Sequence, residues 1–487
     1  MKTKQAFNPY LPSWEYVPDA EPHVVDGRVY IYGSHDLFNG LNFCLGDYVC
    51  WSAPVDDLGN WTYHGCIFKR EQDPAAPKIR LTNGLAAPDM VAGPDGRYYL
   101  YYFMGGTKMI SVAVCDEPAG KYQFYGYVKY PDGTPIGKRG EPFQFDPGCL
   151  MDEDGRLYLY TGFAFGSNPI LLDGSKPTTE GPMWFELDPR DMLTVISGDK
   201  VNYLDVLTGE KAKGTPYEEQ PFGEASSMRK FNGKYYFIYS SLNSHNLCWA
   251  VSDRPTGGFA YGGVLVSCGD IGLPGAPDVN HARMCSGNTH GSVIELGGKH
   301  YVFYHRHSNR KQSSRQACAE QIRFQDGKFH QAEMTSCGLN GGPLAGAGRY
   351  PAYIACNLYG RDGTRFMSML KYRKGRNPYL TQEGGDREGG PDQYVANFCT
   401  GCTVGFKYFD LRGTKEVAVH LRGRGRGCAV TVRREERGEV ICRIPVESCA
   451  GEKDFTGRLP DGLGEREALY FSVEGRGSFD FLSFDLR

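Results

Sequence analysis

A chain of 487 residues with a formal net charge of −3 is too long for a single core, so two domains are expected. Its balanced charge excludes the basic footprint of a nucleic-acid binder, and no run of about 18 apolar residues is present to cross a membrane as a helix. Sixty-four glycines, 32 tyrosines, abundant turn dipeptides and scant helical periodicity indicate an all-β protein.

The opening MKTKQAFNPY has no apolar stretch and no small-residue cleavage site, so no signal peptide is expected. With 16 cysteines scattered singly, this predicts a cytoplasmic location. Residues 25–32, 94–101, 153–160, 231–239 and 296–304 then repeat one pattern, with turn glycines at Gly27, Gly96, Gly155, Gly233 and Gly298. Each copy predicts a tight turn followed by a strand of aromatic and branched residues. Five such hairpins predict a five-bladed β-propeller whose blades converge on one central pocket. Residues 115–128 and 252–265 repeat a second unit, read as the turn from an inner to an outer strand of a blade.

Near residue 340 the pattern stops. Residues 1–340 are therefore assigned to the propeller, glycine-rich 341–349 to a linker, and 350–487 to a jelly-roll-like β-sandwich of short alternating strands. The run from Arg422 to Arg426 is followed by Glu435, Glu436 and Glu439 and reads as a solvated strand face. Cys399-Thr400-Gly401-Cys402 is a C-x-x-C without a second pair, for which buried thiols rather than zinc are expected.

Five polar groups recur just ahead of the repeat strands: Asp19, Asp89, Asp146, Glu224 and His290. Equivalent places in successive blades converge on the axis. Carboxylates gathered in an aromatic pocket supply what acid/base sugar chemistry needs: one protonated, one ionised to activate water, and a third that tunes the first by its charge. Capping of a local turn is the alternative for any one of them alone. Trp14 and Trp249 are candidates to stack on a sugar face or to pack in a core, and Arg306 and Arg315 to donate to sugar hydroxyls.

The motifs Asn8-Pro9-Tyr10, Pro18-Asp19-Ala20, Ala87-Pro88-Asp89, Phe145-Asp146-Pro147, Gly223-Glu224-Ala225-Ser226-Ser227 and Thr289-His290-Gly291 together resemble glycoside hydrolase family 43. The resemblance implies a five-bladed propeller and an inverting glycosidase. In it Asp19 is the general base, Glu224 the general acid, and Asp146 the carboxylate that raises the acid's pKa. It implies a supporting role near the substrate for Asp89. It places His290 on the axis, where many members face a metal ion through water; no cofactor is required, and a structural calcium in the channel is the ion implied. The activity expected is an exo-acting α-L-arabinofuranosidase on arabinose-containing oligosaccharides. A β-xylosidase, a bifunctional enzyme or a galactose-specific one would use the same residues, and a non-catalytic sugar-binding propeller is the alternative of another class. An oligosaccharide is the partner expected, with no nucleic acid and no membrane. The tail, chiefly residues 394–409 and 468–486, is similar to a family 6 carbohydrate-binding module. It holds none of the five tryptophans, so Tyr350, Tyr353, Tyr359 or Tyr372 would form any sugar platform. The other reading of the tail is a buttress for the propeller.

Overall fold

The computed structural model describes residues 4–77, 84–166, 172, 174–198, 200–361, 363, 364, 377–390 and 392–487. Five four-stranded antiparallel sheets follow one another along the chain, each a simple meander. Their first strands are Glu21–Val25, Leu85–Ala92, Gly148–Met151, Phe222–Phe231 and Ser292–Leu296. These five strands pack against one another and so surround the axis, as a five-bladed propeller requires. Each is followed by a turn with its glycine in the left-handed region, from φ 74 at Gly27 to φ 82 at Gly155, where a side chain would be strained.

The repeated tyrosines explain how the blades adhere. Their rings are buried, while their hydroxyls reach backbone carbonyls of neighbouring segments: Tyr101 on Met192 at 2.6 Å, Tyr160 on Pro255 at 3.0 Å, and Tyr239 on Gln220 at 2.7 Å. A ring that is apolar along its body and polar at its tip can fill an interface without orphaning its oxygen. The circle closes where Ala20 bridges Gly291. The N-terminal segment laces that seam, with the Asn8 N–H on the Ser336 carbonyl at 2.8 Å and the Tyr10 N–H on the Ala317 carbonyl at 3.2 Å.

The C-terminal part is one ten-stranded sheet curled on itself. Its two long strands, Glu416–Arg433 and Glu467–Leu486, pair along most of their length and bend at register shifts by His420/Leu421 and Arg426/Ala429. Phe406, Phe471, Phe481 and Phe484 fill its interior, in one continuous apolar cluster with Trp249, Val302 and Tyr304 of the propeller. Residues 341–349, read as a linker, include the short strand Leu344–Ala345 and the start of Gly348–Pro351, both part of this sheet. Of the tyrosines considered for a sugar platform, Tyr350 and Tyr353 are buried and Tyr359 is half-buried; Tyr372 lies outside the described residues.

Candidate active site

Strand register positions the axial groups. The residues five past each turn glycine are Tyr32, Tyr101, Tyr160, Ile238 and Phe303, and their first-strand partners are Glu21, Asp89, Gly148, Ser227 and Ser292. These partners form one layer around the axis. Two residues earlier stands a second layer of Asp19, Ala87, Asp146, Ala225 and His290. Asp19, Ala87, Asp146 and Ala225 all have left-handed backbone, at φ 58, 39, 47 and 67, although none is glycine. Each such residue costs about 1–3 kcal/mol, and residues of this kind collect at functional sites. Asp89 therefore does not share the layer of Asp19; it is the counterpart of Glu21. Glu224 stands one residue ahead of its layer, at a bulge that shifts the register between Phe222, Glu224 and Ser227.

The turned backbone aims amide hydrogens at a carboxylate, a hydroxyl and an imidazole of the site. The Ala225 N–H donates to Asp146 Oδ2 at 3.2 Å. The Ala87 N–H donates to Ser34 Oγ at 2.7 Å, and that hydroxyl donates to Asp19 Oδ2 at 2.6 Å. The Asp19 N–H donates to His305 Nδ1 at 3.3 Å, while His305 Nε2 bonds the Asn288 carbonyl at 2.8 Å. Burial, helped by the Arg315 charge, holds the His305 pKa well below its usual value. A neutral ring protonated at Nε2 satisfies both contacts.

Arg315 ties down the other oxygen of Asp19. Its Nη1 donates to Asp19 Oδ1 at 2.8 Å, and its Nε and Nη2 grip Asp36 at 2.8 and 3.0 Å. The Phe43 ring covers the guanidinium at 4.9 Å. Arg315, expected to donate to a sugar, is instead engaged by two carboxylates and positions one of them.

Glu224 is in a different setting. Its Oε1 lies 3.8 Å from Nδ1 of His245, whose ring stacks on Phe165 at 4.7 Å. Burial lowers the His245 pKa to about 4, so this neighbour is neutral. Burial first, then the charges of Asp146 and Asp19, push the Glu224 carboxyl up to about 8. Asp146 is raised too, by burial and by the Asp19 charge, against the opposing pull of His290. His290 places Nδ1 3.5 Å from Asp146 Oδ2 and Nε2 3.6 Å from Glu21 Oε1. Burial disfavours its charged form, but the two carboxylates outweigh burial and raise its pKa well above the ordinary value.

The structure thus brings Asp19, Asp146, Glu224, His290 and Arg315 together and separates the remaining candidates from them. Asp89 is fully buried, with Oδ1 on His23 Nε2 at 2.7 Å and Oδ2 accepting the Cys149 N–H at 2.7 Å. Burial opposes its charge, yet His23 and Arg229 hold its pKa below the usual range. It is a structural ion of the lower layer rather than a substrate contact. Trp249 is packed against Tyr236 and Phe329, with Gly262 leaving room for its ring, so it offers no face to a sugar. Arg306 is buried and donates to the carbonyls of Tyr353 and Ala355 at 2.7 and 2.8 Å, joining blade 5 to the C-terminal sheet. Trp14 packs beside Trp51 and Tyr63 at the side of blade 1. Sequence reasoning missed Ser34, Phe165 and the His245 contact. Gly223 belongs to the same packing: a Cβ there would come 2.8 Å from the Ser240 carbonyl and 2.9 Å from the Phe165 ring.

The donor set does not fit a directly bound calcium, which takes about six to eight oxygen ligands. Two buried atoms facing each other, Glu21 Oε1 and His290 Nε2, have no hydrogen-bond partner among the described residues, and they supply one oxygen. Glu21 Oε2 already accepts from Ser227 and Arg229. Glu21, His23 and Asp89 bring ligand atoms within 4.8 Å of one another, but Arg229 already stands against both carboxylates as their cation. A cavity of about 760 Å³ lies beyond this layer, lined by His23, Met90, Leu150, Lys230 and Glu295 among others, and none of Asp19, Asp146 and Glu224 lines it.

Residues 13–172 match the family model for glycosyl hydrolases family 43. A protein of Thermoclostridium stercorarium named xylosidase/arabinosidase is 48% identical over 488 aligned positions, covering 99% of this chain and 99% of that one. A Bacteroides ovatus protein of the same name is 30% identical, covering 63% of this chain and 89% of its own length. Among solved structures, a family 43 enzyme from Xanthomonas citri complexed with xylotriose superposes with a TM-score of 0.51 at 26% identity, covering 67% of this chain and 92% of that chain. With the propeller and its three converging carboxyl groups, these matches show that the chain is a glycoside hydrolase and belongs to family 43.

Proposed function

We propose that the protein is an inverting exo-glycosidase that releases terminal α-L-arabinofuranose from short arabinose-containing oligosaccharides. The observation that carries this reading is the contrast between Glu224 and Asp19. Glu224 is held protonated to about pH 8. Asp19 is ion-paired with Arg315 and hydrogen-bonded to Ser34. Glu224 donates its proton to the glycosidic oxygen as the bond to the anomeric carbon breaks. Asp19 takes a proton from the water that attacks that carbon from the opposite face, and the configuration inverts. Asp146 never touches the proton in flight; its charge adds to burial in keeping Glu224 loaded. His290 anchors Asp146 from behind. No step passes through a metal ion.

β-Xylosidase activity with the same residues is the second reading, and two observations favour it: the combined name of the full-length relative and the xylotriose in the Xanthomonas citri structure. Hydrolysis of p-nitrophenyl α-L-arabinofuranoside and β-D-xylopyranoside by wild type and Glu224→Gln tests both. Cleavage that collapses in the variant supports a glycosidase, and the preferred substrate names the sugar. Equal rates for the two proteins on both substrates would sink the assignment. Proton NMR of the first product anomer tests inversion.

A further inference from the structure

The C-x-x-C motif lies outside this site. Cys399 ends the strand Tyr394–Cys399, and Cys402 immediately precedes the strand Thr403–Asp410. Both strands pair with one edge of the final strand Glu467–Leu486, the first around Ser478–Phe481 and the second around Glu467–Ser472, while Glu416–Arg433 takes the other edge. The chain passes from one to the next in a tight turn closed by the Cys402 N–H on the Cys399 carbonyl at 2.9 Å, with Gly401 at φ 81. Thr400 pins the turn to the final strand. Its hydroxyl donates to the Gly475 carbonyl at 2.8 Å and its N–H to the Gly477 carbonyl at 3.2 Å.

This arrangement brings the two Sγ atoms to 3.2 Å. A β-turn keeps its end Cα atoms within about 7 Å, and a disulfide spans about 4.4–6.8 Å, so the sulfurs can close to ~2.05 Å by side-chain rotation with little backbone movement. Cys402 is buried and Cys399 is half-buried, so Cys399 is the sulfur a reagent can reach. The hydrogen bond from Cys402 pulls the Cys399 thiol down to about 7. An accessible thiolate beside a second thiol is what thiol–disulfide exchange requires.

We propose that Cys399 and Cys402 form a reversible oxidation site that low-molecular-weight disulfides convert to an intramolecular disulfide. The Cys399 thiolate attacks a disulfide RSSR, forming a mixed disulfide and expelling RS⁻. Cys402 then attacks the Cys399 sulfur and expels the second RS⁻. The two protons and two electrons of the dithiol leave in two RSH, and the same steps reversed reduce the site.

The test equilibrates the full-length protein with glutathione buffers of increasing oxidised fraction, followed by acid quench, alkylation and peptide mass mapping. Two of the 16 thiols should disappear first, and the peptide spanning residues 399–402 should carry an internal disulfide. Cys402→Ser should stop at the glutathione mixed disulfide of Cys399, and Cys399→Ser should leave position 402 unmodified. Recovery of both cysteines as alkylated thiols in buffers that already oxidise other cysteines of the chain would overturn the proposal. So would failure of Cys402→Ser to accumulate the mixed disulfide.

Discussion

Two layers of the same five strands, two residues apart, meet the axis in opposite electrostatic states. In the lower layer Arg229 and His23 stand against Glu21 and Asp89, and they hold the Asp89 carboxyl below the usual range against the opposing effect of burial. In the upper layer Asp19, Asp146 and Glu224 share Arg315 and His290, and burial first, then the charge of neighbouring carboxylates, raises the pKa values of Asp146 and Glu224. The layers also differ in backbone. The lower one is regular strand, whereas the upper one is left-handed in four of five blades. Carboxylates alone therefore do not make this site. It arises where strand geometry is broken and neutralisation is left incomplete.

The sharpest way to break the comparison is to remove the two proposed proton carriers. Glu224→Gln and Asp19→Asn should each lower kcat by about 10²–10⁴-fold, measured on the preferred chromogenic glycoside, with the fold retained by circular dichroism. Asp36→Asn should follow, at about 10²-fold or less on kcat with KM little changed, because it loosens Arg315 without touching substrate. Asp146→Asn removes a negative charge beside Glu224, so the alkaline limb of the kcat profile should move to lower pH. Burial, the larger cause, remains, so the limb should stay above the ordinary carboxyl range. Asp89→Asn should leave activity per folded molecule unchanged while lowering stability by about 1–3 kcal/mol, read by urea denaturation. A hundredfold loss of kcat there would erase the distinction between the layers.

A further effect concerns stability alone. Unfolded Glu224 loses its proton near 4.5, whereas the folded group holds it to about 8. Between those values rising pH favours the unfolded chain, so this group's contribution is complete below about 4.5 and is lost as pH rises through 8. Glu224→Gln should therefore match the wild-type Tm at pH 4 and exceed it increasingly up to pH 8.

The propeller was legible because its signal is local: Asp-Gly, Asn-Gly or Gly-Gly turns before Tyr-rich strands recur in every blade. The convergence of Asp19, Asp146 and Glu224 was legible through their motifs. The one-layer displacement of Asp89 was not, because it depends on where Ala87 and Ala225 turn left-handed, and alanine gives no warning of positive φ. Arg306 and Arg315 are nine residues apart in a hairpin of blade 5 and look alike in sequence. Which one faces Asp19 and which faces the carbonyls of Tyr353 and Ala355 is decided by partners 49 and 296 positions away. Trp249 was ambiguous for the same reason, since its pocket is assembled from Tyr236, Gly262 and Phe329.

The seam between propeller and C-terminal sheet has its own consequence. Lys407 sits in it nearly without solvent, its ammonium on Asp270 at 3.0 Å and on Glu333 at 2.9 Å. Separating the two parts would strand a cation on one side and a buried carboxylate on the other, and would bare the apolar cluster they share. Neither part has a low-energy state of its own to melt into. Heating should therefore give a single calorimetric transition whose measured enthalpy equals its van't Hoff enthalpy, as for one cooperative body rather than two beads on a string.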